Sequence, residues 1–250
     1  MRENALKAKW RAGETAHGAW LAIPSSFTAE IIARQGFDYV NIDLQHGIVD
    51  YQVAVTMLQA ISITDATPTV RVPWNEPGII MKCLDAGAIG VIIPMVNTVE
   101  EAQAAVAACR YYPEGMRSNG PIRAAMYSGR DYFAHANKEV ACIPMIETKQ
   151  AVDNLDDILS VSGIDAVYVG PTDLSITYGQ PPVMDNEGAF EEARIKIAKA
   201  CKDHGIVAGI HGTAALAEKH TAAGYQMVTV SSDSAAMGQQ AAADLRRAKG

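Results

Sequence analysis

Apolar residues in this chain fall into short unbroken runs, separated by longer segments in which they recur at helical spacing. Eight runs read as strands: Gly18–Ile23, Tyr39–Asp43, Thr67–Val72, Gly90–Pro94, Val140–Glu147, Ala166–Gly170, Val207–His211 and Met227–Ser231. They lack the strict alternation of a sheet with one wet face. Unbroken apolar strands are those of parallel sheets covered on both faces. The intervening segments read as helices with marked ends. Ser25 and Ser26 precede Phe27–Gln35, which stops at Gly36, and Asn75–Asp85 stops at Gly87. Thr98 opens a helix with Glu101 three residues on, the spacing of a capping box. Glu187–His204 stops at Gly205 and Thr213–Ala223 at Gly224, glycine being the residue that best adopts the left-handed stop.

Eight strand–helix units in 250 residues predict one (β/α)8 TIM-barrel domain over residues 1–250. An open doubly wound sheet competes with this reading, but the chain has no GxGxxG, and Pro24-Ser25-Ser26 follows the first strand. One connection breaks the rhythm. Residues 111–139, beginning Tyr111-Tyr112-Pro113-Glu114-Gly115, join a helix to the fifth strand. Loops this long are usually functional or partly helical, and a place after the fourth strand assigns this one to the catalytic, C-terminal face.

Composition narrows the function classes. With 49% apolar and 20% charged residues the chain is not disordered. A net charge of −7 without a basic run argues against nucleic acid or an anionic membrane as partner. The longest apolar run, Ala88 to Val96, is far short of a membrane span. The start lacks the apolar core of a secretory signal. Cys83, Cys109, Cys142 and Cys201 form no CxxC pair and read as reduced core thiols of a cytoplasmic protein.

In a barrel, chemistry comes from polar side chains at the C-terminal ends of strands. That filter selects Asp43 and His46 after the second strand, Arg71 on the third, Glu147 on the fifth and Asp173 after the sixth. Any one of them has an ordinary structural use, such as a helix cap for Asp173. Together they suit one chemistry. Glu147 and Asp173 make a sparse all-oxygen site for a hard divalent cation such as Mg²⁺ or Mn²⁺, which keeps waters that a chelating substrate can replace. No His or Cys cluster has zinc spacing, and zinc stays open. Backbone N–H groups of Thr172 and Asp173 at a helix start suit a substrate carboxylate. Arg71 offers fixed charge to an oxyanion, and His46 a base near neutral pH. Metal, oxyanion stabiliser and base describe enolate formation beside a carbonyl.

These residues sit in segments that resemble the HpcH/HpaI aldolases, the metal-dependent class II pyruvate aldolases. The likeness runs from Gly18-Ala19-Trp20-Leu21 through Gly36-Phe37-Asp38-Tyr39-Val40-Asn41-Ile42-Asp43 with His46, then Val70-Arg71-Val72-Pro73-Trp74-Asn75 and Leu84-Asp85-Ala86-Gly87-Ala88. It continues with Val91-Ile92-Ile93-Pro94-Met95-Val96, Ile146-Glu147-Thr148 and Gly170-Pro171-Thr172-Asp173-Leu174-Ser175. The resemblance implies reversible cleavage of a 4-hydroxy-2-keto acid to pyruvate, or hydroxypyruvate, and an aldehyde. It implies a divalent metal on Glu147 and Asp173, with Mg²⁺ or Mn²⁺ ahead of Co²⁺ or Zn²⁺. Arg71 would stabilise the enolate, His46 would be the base, and Thr172 and Asp173 would bind substrate. It further implies a homo-hexamer of dimers that swap the C-terminal helix, and an acid at Asp85 that raises the basicity of the histidine. Asp85 precedes the fourth strand, at the far end of its own barrel, so it would serve a neighbouring subunit's site. Asp43 is the candidate orienting acid within one chain. Gln45 and Met145 replace Glu and Gln of some relatives, which leaves substrate identity open.

Two other enzyme readings compete. A Schiff-base aldolase needs a desolvated lysine; none of the eight strands contains one, and Lys149 follows Glu147 closely but falls at the start of the next helix. A related carbon–carbon lyase acting on a CoA thioester would need a basic groove, which the sequence does not display.

Overall fold

Eight parallel strands follow one another around a closed barrel in chain order. The computed structural model describes all residues, 1–250. The strands are β1 (Ala16–Leu21), β2 (Tyr39–Asp43), β3 (Thr67–Arg71), β4 (Gly90–Ile93), β5 (Ala141–Ile146), β6 (Ala166–Val169), β7 (Val207–Ile210) and β8 (Met227–Ser232). Each predicted strand is present, with ends displaced by at most two residues. β8 pairs with β1 from Ala16↔Met227 onward, with a register shift between Gly18 and Ala19, and closes the ring.

The unbroken apolar character of the strands has a direct cause: both faces are buried, in two separate cores. On β5, Cys142 and Ile146 point outward into a mantle of 53 residues between strands and helices. Ala141, Ile143 and Met145 point inward, into a 12-residue cluster that fills the barrel. Tyr39 crosses that interior. A Cβ on Gly18 would lie 2.1 Å from its ring, so only glycine leaves room for it on β1.

Most helix ends follow the sequence signals. Thr98 and Glu101 form the reciprocal capping box, and Gly205 takes the left-handed conformation after Ala189–His204. The segment 213–223 divides into a 3₁₀ turn, Ala214–Leu216, and a short helix, Ala217–Ala222. A helix at Ala5–Arg11 is additional to the predicted elements. Asn4 caps it through its side chain, and its Leu6 and Trp10 join the barrel-interior cluster as a floor. The last helix, Asp233–Lys249, has only Asp233 buried, while Met237 and Leu245 are exposed. No helix is long and apolar enough to cross a membrane.

The long connection over 111–139 requires a correction. It carries two helices, Ile122–Ser128 and Tyr132–Glu139, but lies at the N-terminal end of the barrel. The helix before it runs antiparallel to the strands, so the connection starts at the bottom. Its arginines hold groups that precede strands. Arg110, at the junction, donates to Val140 O at 3.0 Å and to Asp165 at 2.7 Å. Arg123 donates to Ala86 O at 2.6 Å. Arg117 donates to Asp85 at 2.7 Å and sits over the rings of Tyr111 and Tyr132, at 4.5 and 5.4 Å. The loop braces the floor of the barrel.

One buried residue gives the fold a pH dependence. His220 is fully buried, and neither ring nitrogen has a partner. Burial, then the nearby charge of Arg194, lowers its pKa to about 4. A depressed histidine gives stability that is present above its unfolded pKa, about 6.5, and lost as pH falls toward 4. Chemical denaturation at stepped pH should show that loss, and His220→Phe should shrink it by up to about 3 kcal/mol.

Candidate active site

The C-terminal mouth opens into a cavity of ≈ 250 Å³. Asp43, His46, Arg71, Thr172 and Asp173 all line it, so five predicted residues from the ends of β2, β3 and β6 meet there. Register explains the closest pair. Asp43 and Arg71 are direct neighbours at the ends of β2 and β3. Arg71 Nε donates to Asp43 Oδ1 at 2.9 Å and Nη2 to Oδ2 at 2.7 Å, a two-pronged pair. The guanidinium also lies 4.9 Å from the Trp20 ring centroid. Burial alone would raise the Asp43 pKa, but the hydrogen bonds and charge of Arg71, with help from Trp20 and Gln45, hold it below the usual carboxylate range. Asp43 stays ionised and fixes the arginine in place.

That geometry corrects the role expected for Asp43 toward His46. Asp43 Oδ2 also accepts from Trp20 Nε1 at 3.1 Å, and Oδ1 from the backbone N–H of Gln45 at 3.0 Å and of His46 at 3.3 Å. The contact is to the His46 main chain, not to its ring. Asp43 shapes the loop that presents the imidazole, which is exposed at the rim.

Glu147 lies deeper, just past β5, and is 2% exposed. The backbone N–H of Met95 donates to its Oε1 at 2.7 Å. Met95 can do so because the chain after β4 turns through a left-handed conformation there, φ 57°, which is uncommon for a non-glycine residue. Gly170 closes the other side: a Cβ there would stand 2.3 Å from Glu147 Oε2. Burial, reinforced by the charge of Asp173, raises the Glu147 pKa to about 7, against the pull of Met95 N–H and Arg71. Asp173 sits half-buried in the first turn of the helix Pro171–Thr177, beside Thr172.

Two predicted residues are not in the mouth. Asp85 ends the helix Pro77–Asp85 at the floor of the barrel, where Arg117 holds one oxygen and its side chain is 26% exposed. Lys149 begins the helix Lys149–Asp153 and pairs with Asp153 at 2.6 Å, with both side chains more than half exposed. It is neither desolvated nor in the cavity, which removes the Schiff-base alternative.

Part of the site is not marked by charge in the sequence. Trp20, Tyr168, His211, Ser232 and Ser234 line the same cavity. Trp20 stacks near Tyr168 at 5.6 Å and meets His211 edge-on at 4.8 Å. Trp20 and Tyr168 lie inside apolar runs and look like core. His211 closes a predicted strand on the active face, and that position alone is a usable signal.

The donor set suits a hard divalent cation. Glu147 Oε2 and the Asp173 carboxylate are acceptors, and the nearest fixed cation, Arg71, is engaged by Asp43. No cluster of three or more His, Cys, Asp or Glu side chains holds a metal-like arrangement. Two carboxylates would leave the remaining positions of such an ion to water and substrate.

Residues 17–239 match the family described as HpcH/HpaI aldolase/citrate lyase. The chain is 41% identical to a hydroxypyruvate/pyruvate aldolase of Rhizorhabdus wittichii, covering 97% of this chain and 99% of that protein. It is 38% identical to a 4-hydroxy-2-oxo-heptane-1,7-dioate aldolase of Salmonella dublin, covering 96% and 93%. A crystal structure of an HpcH/HpaI aldolase/citrate lyase family protein of Burkholderia cenocepacia superposes with a TM-score of 0.93 at 32% identity, over 99% of this chain and 100% of that one.

Proposed function

The chain belongs to the HpcH/HpaI aldolase/citrate lyase family, and on that premise we propose that it is a metal-dependent carbon–carbon lyase. It reversibly cleaves a 4-hydroxy-2-keto acid to pyruvate, or hydroxypyruvate, and an aldehyde. The observation that carries this reading is the buried Glu147 carboxylate close to Asp173, with no cation of the protein paired to either, while Asp173 and Arg71 line the cavity of the mouth. No basic groove for a CoA diphosphate accompanies that cavity, whose one arginine is held by Asp43.

Glu147 and Asp173 hold the cation, Mg²⁺ or Mn²⁺ by ligand hardness. When bound, it supplies Lewis acidity to the keto-acid oxygens. The first-turn N–H groups of Thr172 and Asp173 receive the substrate carboxylate. Arg71, locked by Asp43, offers charge to the keto oxygen as negative charge develops there. His46 takes the C4 hydroxyl proton as the C3–C4 bond breaks, releasing the aldehyde. The exposed apolar residues of the last helix, Met237 and Leu245, support packing against a second copy and hence a swapped helix in a hexamer. Asp85 would serve His46 of a neighbour in such an assembly, a reading supported by its partly exposed side chain, of which Arg117 holds one oxygen. Four buried free thiols support a reducing, cytoplasmic setting.

The test is pyruvate or hydroxypyruvate release from a panel of 4-hydroxy-2-keto acids. Chelator should stop release and added Mg²⁺ or Mn²⁺ should restore it, with no adduct trapped by borohydride. Undiminished cleavage by metal-stripped protein would overturn the reading.

Two substitutions probe the geometry. Gly170→Ala forces Glu147 Oε2 aside and should weaken Mn²⁺ binding about 10–100-fold by calorimetric titration. Arg71→Lys keeps the charge but loses the fork on Asp43, and kcat should fall by about 10²-fold, with Mn²⁺ affinity near that of the parent.

A further inference from the structure

The polar groups of the mouth are not evenly distributed. The ionic ones, His46, Arg71, Glu147 and Asp173, come from the β2, β3, β5 and β6 side, and the aldol chemistry uses them all. The β7 and β8 side carries His211, Ser232 and Ser234, for which that chemistry has no task.

His211 is held firmly. Its backbone N–H donates to Val169 O at 3.1 Å. Its ring stands edge-on to Trp20, at 83°. Its Nδ1 lies 3.5 Å from the Tyr168 hydroxyl, which is itself hydrogen-bonded to Thr229, and Thr229 to Tyr39 at 2.9 Å. A chain of hydroxyl groups thus rises through the barrel interior and ends at this imidazole. With Nδ1 turned toward the interior, the opposite edge of the ring, Nε2, is left for the cavity. The charged groups facing it are Arg71 and Asp43. Burial and then the Arg71 charge lower its pKa to about 4, so the ring is neutral at physiological pH and offers one donor and one acceptor. The Ser232 and Ser234 hydroxyls add two more groups of the same uncharged kind, and none of the three has a salt-bridge partner. A carboxylate or phosphate would find no cation on this wall. A hydroxyl, which both donates and accepts, matches all three.

Resting on the aldolase reading above, we infer that His211, flanked by Ser232 and Ser234, forms a subsite that selects substrates bearing an uncharged hydroxyl next to the reacting carbons. That hydroxyl can belong to the keto acid, as in hydroxypyruvate, or to the aldehyde, as in a 2-hydroxyaldehyde. The chemistry sought by the wall is the same in both.

The experiment runs the reaction in the synthetic direction with Mg²⁺-loaded protein and four pairs: pyruvate or hydroxypyruvate with acetaldehyde or glycolaldehyde. The readout is the ratio of kcat/KM between hydroxylated and deoxy partners, which general damage to the site does not move. The parent should favour the hydroxylated member of one pair. His211→Leu should lower that ratio about tenfold, the effect of one lost hydrogen bond, and His211→Gln, whose amide reaches the Nε2 position, should recover most of it. A fall confined to the keto-acid pair assigns the hydroxyl to that substrate, and a fall confined to the aldehyde pair assigns it to the other. Should His211→Leu not fold, the double variant Ser232→Ala/Ser234→Ala should show the same fall. Ratios equal to those of the parent, or a fall that glutamine does not reverse, overturn the subsite. No product from any pair with the parent protein would instead count against the aldolase reading.

Discussion

Glu147→Ala is expected to reduce metal-dependent cleavage to the level of chelator-treated protein, and Asp173→Ala to do the same, while the barrel stays folded. The site has two protein carboxylates and no third side chain to take over, so either loss leaves a monodentate anchor for an ion that water holds strongly. Folding should survive for a separate reason. In the metal-free protein Glu147 is a buried acid whose ionised form is disfavoured, so its removal takes away a desolvation cost. The variant is left with the unpartnered N–H of Met95, a cost of about 1–3 kcal/mol in a protein with two large cores. Circular dichroism of each variant, paired with a pyruvate-release assay and Mn²⁺ titration, checks the prediction. Cleavage by Glu147→Ala at the parental rate would sink the metal assignment.

His46→Ala is expected to lose about 10²–10⁴ of the cleavage rate and to bind pyruvate with nearly the parental affinity. The imidazole is exposed on a loop shaped by Asp43 through main-chain contacts, so its removal leaves the Arg71–Asp43 pair and both carboxylates in place. Pyruvate binding needs those groups and not the ring. Cleavage needs a proton acceptor for the C4 hydroxyl, and Asp43 cannot substitute because both its oxygens are engaged. The partner of the imidazole is the separable part. Asp85 lies at the floor of its own barrel, so a role for it requires a neighbouring subunit. If His46→Ala and Asp85→Ala are each impaired, co-assembling them should restore some sites with both residues intact. Verified mixed oligomers with no recovered rate would exclude the cross-subunit pair.

The barrel is legible in the sequence because its physics is local: strands buried on both faces read as apolar runs, and helix stops read as glycines. The ionic half of the mouth is legible because so many polar and charged residues fall at strand ends on one face, although each alone could be a helix cap. Other features depend on relations that a linear pattern does not carry. Asp43 looks like a partner for His46 by proximity in the chain, but register gives it to Arg71. Trp20 and Tyr168 are hidden by their apolar surroundings. The helix Ala5–Arg11 has only two inward residues, Leu6 and Trp10, too few to set a period. The connection over 111–139 is long enough to suggest the catalytic face, but direction outweighs length. A segment that comes after a helix in a barrel begins at the floor.

The pairing of β1 with β8 has a consequence for biosynthesis. Until Met227 and the residues after it leave the ribosome, the sheet is an open ribbon with two raw edges, one of them formed by the very first strand. Until then that edge offers free amide and carbonyl groups to any passing strand. Fragments that end before β8 should therefore be the aggregating species, and a chaperone that shields the nascent N-terminal strand should raise the yield of closed rings more than one acting after release.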